Sequence, residues 1–221
     1  MLVDLFRNKV LDIVHKQLDV MSNFPVGAVQ PGYMKPISKE FVPYWQPTLE
    51  KVWFDCANYF ADGFADRYKK DLQGKIKISK AHLPELNKAA LEKSEQAAEH
   101  VAEIFAEFIS TSMEAGFSYE EAIDNFKNKS LGVAHDLTQL MLEKSVVPAS
   151  NYGNQVAAKL AGCTKKTWHC RRDAKTHEKY DTIDGETRLL NEKYSDKTLF
   201  PGDPDGPAKQ FKNYRCFETY E

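Results

Sequence analysis

Thiol and imidazole side chains gather in the last third of the chain, where they could act as metal ligands. Cys163, Cys170 and His177 follow one another at seven-residue intervals, His169 adjoins the second of them, and Cys216 lies near the end. A structural zinc ion requires four such ligands in a tetrahedral array. The spacing is not that of a zinc knuckle, because only one cysteine follows the long gap. We therefore predict buried or free thiols and no cofactor, with metal binding by Cys163, Cys170, Cys216 and His177 as the alternative.

Carboxylates in the same region suggest acid–base catalysis as a second chemistry. Asp173, His177 and Asp184 lie close together in sequence and are residue types that transfer protons in enzymes. Turn capping and surface ion pairs explain these residues equally well. The chain has no Gly-x-Ser-x-Gly nucleophile motif, no phosphate-binding glycine loop and no His-Glu-x-x-His motif. We therefore predict that the protein is not an enzyme.

A basic run surrounds Trp168 and His169 and could contact DNA. Its six cationic residues are Lys165, Lys166, Arg171, Arg172, Lys175 and Lys179. Lysine and arginine can bind DNA phosphates without reading the base sequence. A solvated face, or a site for an acidic patch of a partner protein, would use the same residue types. DNA contact is therefore a hypothesis for this run.

Composition limits the class of protein. Of the 221 residues, 42% are hydrophobic, which is enough for a substantial core, and the charged residues nearly balance at a formal net charge of -2. Such a balance does not indicate a nucleic-acid binder from the totals alone. Charges interrupt the apolar N-terminus, and no apolar run approaches the length of a membrane span. We expect no signal peptide, no membrane segment and synthesis in a reducing cytoplasm.

The first 46 residues predict a helix followed by an irregular arm. Apolar residues recur at helical spacing through residues 1–21, and this amphipathic helix can pack on the body of the protein or dock on a partner. The candidate partner-binding residues are Leu2, Leu5, Phe6 and Val10. Prolines crowd the next segment, and they predict an extended arm or linker over 22–46 with no regular helix.

Residues 47–148 predict a helical domain of several helices joined by short turns. Ser118 and Glu121 have the spacing of a capping box, which predicts that a helix begins there. Pro148 is expected to end one helix, because proline disrupts a helix interior, and a further short helix is expected over Asn151–Leu160, ended by Gly162. The alternating Lys75–Ile78 run predicts a brief strand within this domain.

The last third, residues 149–221, predicts a small module of mixed structure. Strand-like pieces at 164–170, 187–190 and 213–220 alternate with turns rich in glycine, proline and aspartate. Trp168 supplies a large anchor for a core of limited size. The expected fold class is α+β, with a mainly α-helical N-terminal two-thirds followed by a small α+β C-terminal module.

Motif residues in this module stand in a characteristic order. They are Lys166, Trp168, Asp173, Thr176, Ile183, Asp184, Gly185, Tyr194, Pro201, Gly202, Asp203, Pro204, Asn213, Arg215 and Cys216. Their order and spacing resemble the C-terminal module of the phage Mu F-like head morphogenesis (minor capsid) protein family. Tyr180 and Tyr214 replace a histidine and a cysteine of the family pattern. A metal or redox pair built from those groups would therefore be incomplete here, whereas a role in holding the shape of the module would survive.

The resemblance implies a structural minor head protein. Its partners would be the portal protein, the major capsid protein or both, with packaged DNA as a further contact and no membrane in the head. Several copies would be present in each virion, inside the capsid or at the portal vertex, after synthesis in the host cytoplasm. The protein would support head morphogenesis and DNA packaging or ejection. The alternative is a stand-alone nucleic-acid-binding module that uses the basic segment 165–179.

Overall fold

The fold is α+β, as expected: most of the described chain is helical, and a three-stranded antiparallel sheet lies near the C-terminus. This computed structural model describes residues 2–68, 76–171, 182–206 and 216–221. The helices are α1 (Leu2–Met21), α2 (Lys35–Ser38), α3 (Val42–Asp62), α4 (Phe64–Tyr68), α5 (Leu83–Glu114) and α6 (Tyr119–Leu160). The strands are β1 (Lys165–Cys170), β2 (Thr187–Leu189) and β3 (Cys216–Tyr220).

The chain packs as two compact units, each assembled from separate stretches of sequence. The first unit comprises residues 1–50 and 90–143, and the second comprises 51–89 and 144–221. The long helices α3, α5 and α6 each continue from one unit into the other. The four consecutive domains suggested by composition therefore do not coincide with these units, because changes in proline content do not mark where apolar helix faces are buried.

Helix α1 forms part of the core of the first unit. Val10 and Leu18 are buried, which confirms that its apolar stripe faces the interior. Gln17 is buried beside them, where its amide donates to Ala98 O at 2.7 Å and its Oε1 accepts from Trp45 Nε1 at 2.8 Å. Because both polar ends have partners, Gln17 links α1 to α3 and α5 within this unit.

The proline-rich segment 22–46 is not an extended arm. It contains α2 and the start of α3, with Pro36 and Pro43 in the first turns of those helices. Met34 and Phe41 are buried in the same segment. Proline is tolerated in a first helical turn because the amide that it lacks has no helical partner there. The expectation that no regular helix forms here was therefore wrong.

Helix α6 continues through Pro148, where the sequence predicted a break between two helices, and it includes the predicted helix over 151–160. Pro148 and Ala149 are buried in the second unit, so packing offsets the loss of one helical hydrogen bond. Further along α6, Gly153 lies directly against the backbone of Ala57 in α3, where a Cβ atom would collide. This contact requires glycine and holds the two helices close together.

Two local predictions have opposite outcomes. The capping box at the start of α6 is confirmed: Ser118 N donates to Glu121 Oε2 at 2.8 Å, and Glu121 N donates to Ser118 Oγ at 3.3 Å. The strand predicted over Lys75–Ile78 is wrong over its described part, where Ile78 N instead donates to Asn58 Oδ1 at 2.8 Å. Across the described ranges, no helix combines the length and the apolar character needed to cross a bilayer.

Candidate functional site

Alternate residues of β1 and β3 form one buried side of the sheet, whose strand order is β2-β1-β3. In the antiparallel register, Lys166 lies opposite Tyr220, Trp168 opposite Glu218, and Cys170 opposite Cys216. Directly opposite residues point to the same side of a sheet. The buried side therefore carries both a charged pair and a pair of thiols.

A lysine and a glutamate are buried together on this side. The side chains of Lys166 and Glu218 are both 0% exposed, and Lys166 Nζ lies 3.8 Å from Glu218 Oε1. Lys166 Nζ also donates to Leu199 O and lies 4.8 Å from the ring centroid of Tyr194. Buried charges are strongly unfavourable without partners, so these contacts are what make the lysine tolerable in a small core.

Tyrosine hydroxyls complete the hydrogen bonding of the glutamate. Tyr194 Oη donates to Glu218 Oε1 at 2.9 Å, and Tyr220 Oη donates to Glu218 Oε2 at 2.7 Å. Tyr68 Oη of α4 donates to the backbone oxygen of Glu218 at 3.0 Å. Lys166, Tyr194, Glu218 and Tyr220 together form a buried network that we call the Lys–Glu cluster.

Burial changes the proton affinity of the Lys–Glu cluster. It raises the pKa of Glu218 to about 7, although Lys166 and the two tyrosine hydroxyls act in the opposite direction. Burial lowers the pKa of Lys166, against the attraction of Glu218. Burial and the neighbouring carboxylate raise the pKa of Tyr194 and of Tyr220, so both remain donors. The cluster can therefore hold a proton on Glu218 near neutral pH.

The Lys–Glu cluster is closed to solvent. Tyr194, Glu218 and Tyr220 are at most 5% exposed, and Lys166 is 0% exposed. A catalytic group must reach its substrate, and these side chains present no surface to one. Shifted pKa values occur in structural ion-pair networks as well as in active sites. The geometry therefore favours a role in specifying the fold of the module over acid–base catalysis.

The Asp-Gly turn of the motif packs onto the strand that carries the tryptophan. Trp168 is fully buried, and its ring centroid lies 5.1 Å from that of Tyr194. Asp184 Oδ1 accepts from Cys170 N at 2.9 Å, and Gly185 N donates to Trp168 O at 2.8 Å. Gly185 has a φ of 84°, a conformation that residues with a Cβ rarely adopt. These contacts fix the turn on β1.

The Pro-Gly-Asp-Pro loop is also fixed by its motif residues. Asp203 Oδ2 accepts from Leu199 N at 2.8 Å, which holds the loop in a tight turn. Pro201 O accepts from Asn151 Nδ2 of α6 at 2.9 Å, so the loop is attached to the helix. Gly202 has a φ of 86°, and a Cβ atom there would lie 2.7 Å from a neighbouring side chain. A substitution at Gly202 would therefore disturb both backbone and packing.

The thiols form one close pair. Cys170 Sγ lies 2.7 Å from Cys216 Sγ, and Trp168 Nε1 donates to Cys170 Sγ at 3.0 Å. All four cysteines lie in the described ranges, and none of them forms a disulfide. No group of three or more potential metal ligands occurs among the described residues. His177, which the metal alternative would need, lies outside those residues.

The basic run is only partly available for contact with DNA. Lys165 and Arg171 are exposed, as such a role requires. Lys166 is buried in the Lys–Glu cluster, so its assignment as a DNA contact is wrong. Successive side chains of a strand point to opposite faces of the sheet, and that of Lys166 points to the buried face of β1. Arg172, Lys175 and Lys179 lie outside the described residues, as do the motif residues Asp173 and Arg215.

The candidate partner-binding face of α1 is largely interior. Phe6 and Val10 are buried within the first unit, so they are core residues and cannot contact a partner. Leu2 and Leu5 lie in α1, but the structure does not describe their side chains. An amphipathic stripe has the same pattern whether it faces the body of the protein or a partner, which is why the sequence could not separate the two.

A cavity of about 500 Å³ in the second unit was not foreseen. Trp53, Tyr152 and Phe200 line it, together with Glu85 and Pro204. Tyr152 Oη donates to Glu85, and burial, reinforced by that carboxylate, raises the pKa of the tyrosine. Its walls come from α3, α5, α6 and the loop after β2, so no local sequence pattern could have predicted it.

Two members of the Lys–Glu cluster were also missed. Glu218 and Tyr220 lie in the short run from Cys216 to Tyr220, where buried and more exposed residues alternate. This alternation could have indicated that Glu218 is buried, because Glu218 lies two residues from both Cys216 and Tyr220, on the same face of the strand. A charged residue is rarely assigned to a core, however, and its lysine partner lies far away in sequence.

Comparison with known proteins gives no relative for this chain. No family model, no curated protein and no solved structure matches it. The likeness of the C-terminal motif residues to a phage family is therefore an expectation that stands on those residues alone.

Proposed function

We propose that this chain is a structural minor head protein of a phage. It associates with the portal protein, the major capsid protein or both, inside the capsid or at the portal vertex. In this role it supports head morphogenesis and DNA packaging or ejection, and it carries out no catalysis of its own. It is made in the host cytoplasm and is incorporated in several copies per virion.

One observation carries this proposal: the described motif residues contact one another and hold a small core. Trp168, Asp184 and Gly185 connect the turn to β1. Asp203 shapes its own loop, and Pro201 attaches that loop to α6. An interaction domain requires a fixed shape, whereas an enzyme requires reactive groups that open onto a substrate site. The arrangement supports the first role.

The surface proposed for docking on the head lies in the segment 22–46. Tyr33 is 74% exposed, and Tyr44 is 52% exposed. The carboxylate of Glu103 accepts from Gly32 N at 2.7 Å and from Met34 N at 3.2 Å, which fixes the backbone on both sides of Tyr33. Exposed aromatic side chains on a fixed backbone suit a protein interface, because little entropy is lost on binding.

Affinity capture tests this surface directly. The chain is expressed with the portal protein and, separately, with the major capsid protein of the phage that encodes it. We expect the wild-type chain to capture at least one of them, and the combined substitutions Tyr33→Ser and Tyr44→Ser to weaken capture about tenfold or more. A deletion of residues 1–45 is unsuitable, because it would remove buried core residues such as Val10 and Phe41.

The matched control is Tyr59→Ser, which removes another half-exposed tyrosine outside the segment 22–46. Its capture should equal that of the wild-type chain. Equal capture by the Tyr33 and Tyr44 variant would refute the docking surface. A wild-type chain that captures neither head protein would refute the minor-head role itself.

The alternative function, nucleic-acid binding by the 165–179 segment, makes a separate prediction. Lys165 and Arg171 are its described exposed cations. If DNA binding is the main activity, charge reversal at both positions should weaken binding and reduce its dependence on salt concentration. Salt-sensitive DNA binding that survives Lys165→Glu with Arg171→Glu would exclude these residues as its source.

A further inference from the structure

The thiol pair occupies a special position in the ladder between β1 and β3. Lys165 N donates to Glu221 O at 3.2 Å, and Glu221 N donates to Lys165 O at 3.1 Å. Lys165 and Glu221 are therefore a hydrogen-bonded pair, and pair types alternate along an antiparallel ladder. Counting along the register from that pair, Cys170 and Cys216 are a non-hydrogen-bonded pair.

This pair type brings the two cysteines into the range of a covalent bond. Cα atoms of a non-hydrogen-bonded pair lie about 4.5 Å apart, within the range found in disulfides. Both side chains point to the same side of the sheet, and their sulfur atoms are already 2.7 Å apart. Little backbone movement is therefore needed to join them.

We propose that Cys170 and Cys216 form a reversible disulfide that fastens β3 to β1. A small-molecule disulfide such as oxidised glutathione serves as the oxidant. The Cys170 thiolate attacks one of its sulfur atoms and releases one glutathione thiol. The Cys216 thiolate then attacks the Cys170 sulfur and releases the second glutathione thiol. Two electrons pass to the glutathione disulfide, and the two protein thiol protons are taken up by the released glutathione.

The surroundings assign the order of the two steps. Cys170 is partly exposed, whereas Cys216 is 2% exposed, so an oxidant in solution meets Cys170 first. Trp168 Nε1 donates to the sulfur of Cys170, which helps to hold that sulfur in place. Asp184 holds the Cys170 amide, so the sulfur stays directed at its partner on β3. Cys216 is therefore the resolving thiol.

The bond would restrain a long connection. Cys170 and Cys216 are 46 residues apart in sequence, and closing a loop of that length removes much conformational freedom from the unfolded chain. In a reducing compartment the pair remains two thiols, and it closes when the protein meets an oxidising medium. The disulfide depends on the strand register and on the geometry of the two thiols, and it is independent of the proposed head role.

The test uses the purified full-length chain, incubated folded with excess oxidised glutathione and then denatured and alkylated. We expect an intact mass that includes two alkyl groups, on Cys56 and Cys163, and lacks two hydrogen atoms for the new disulfide. The peptide map should join Cys170 to Cys216. A lasting glutathione adduct on Cys170 would overturn the proposal. So would a linkage that involves Cys56 or Cys163, or four thiols that all remain open to alkylation.

Thermal unfolding gives a second readout with a matched control. Oxidation should raise the melting temperature of the wild-type chain by roughly 10 °C. The variant Cys163→Ser should show the same rise, because Cys163 is not part of the pair. Cys216→Ser should show no rise on oxidation, and equal rises in both variants would contradict the proposal. If Cys216→Ser fails to fold, the peptide map of the wild-type chain decides alone.

Discussion

Among the described residues, Glu218 is a carboxylate whose environment differs strongly from water. It is buried and accepts hydrogen bonds from Tyr194 and Tyr220, with Lys166 as its charged neighbour. These partners satisfy its oxygens, but they do not fully offset the loss of water, and the pKa of Glu218 therefore rises to about 7. The protonated form is the one that the folded module prefers.

A pH dependence of stability follows from that preference. The folded pKa of about 7 lies above the unfolded value of 4.5, so the stabilising contribution is complete below pH 4.5 and is lost as pH rises through 7. Relative to Glu218→Gln, we expect the wild-type free energy of unfolding to fall by up to roughly 3 kcal/mol across this window. Urea denaturation at several pH values measures the difference.

The control for this prediction is Glu221→Gln, an exposed residue just after the same strand. Its curve of unfolding free energy against pH should run parallel to that of the wild-type chain. If Glu218→Gln also runs parallel to the wild type between pH 4.5 and 7, Glu218 does not titrate abnormally in the folded protein.

Adjacent lysines on β1 should respond very differently to the same substitution. Lys166→Met keeps most of the aliphatic stem but leaves Glu218 without its cation, so we expect a loss of about 3 kcal/mol in unfolding free energy at pH 8. Lys165→Met alters an exposed side chain and should change it by less than about 0.5 kcal/mol. Chemical denaturation compares the two, and similar losses would mean that Lys166 is not buried as a charged partner.

At the scale of elements, the contact between α3 and α6 gives the clearest prediction. A Cβ atom at Gly153 would collide with the backbone of Ala57, whereas one at Gly132 in the same helix would meet nothing within 4 Å. Gly153→Ala should lower the free energy of unfolding by about 1–3 kcal/mol, because the helices must separate. Gly132→Ala should raise the free energy of unfolding by about 0.5–1 kcal/mol, because alanine has a higher helix propensity than glycine at an exposed helical position.

Circular dichroism during urea denaturation distinguishes these two variants. The same glycine-to-alanine change in the same helix is expected to shift the free energy of unfolding in opposite directions. A general effect of alanine on helix stability would shift both variants in the same direction. A Gly153→Ala variant that is as stable as Gly132→Ala would show that α3 and α6 are not in close contact at that position.

The sequence predicted elements well where local chemistry decides the structure. The capping box of Ser118 and Glu121 and the buried anchor Trp168 were both confirmed. It failed at Pro148 and across 22–46, because proline forbids an internal hydrogen bond but not a first turn or a well-packed helix. It could not place Lys166, since burial of a lysine depends on a glutamate partner that lies more than fifty residues away.

At the scale of the whole molecule, each unit draws on distant parts of the chain. Residues 51–89 and 144–221 pack as one unit, and the motif residues of the last third share it with α4 and the start of α5. Linear changes in composition cannot reveal such pairing, because it depends on contacts between segments far apart in sequence. The helical and strand content was predictable, whereas the grouping of elements into units was not.

Under the proposed head role, a phage encodes this chain. The most direct test of that role is quantitative mass spectrometry of the DNA-filled heads of such a phage, purified by gradient sedimentation. We predict that the protein cosediments with the heads at a constant ratio to the portal protein, in several copies per particle. Its absence from washed heads, with all of it left in the soluble fraction of infected cells, would contradict that role.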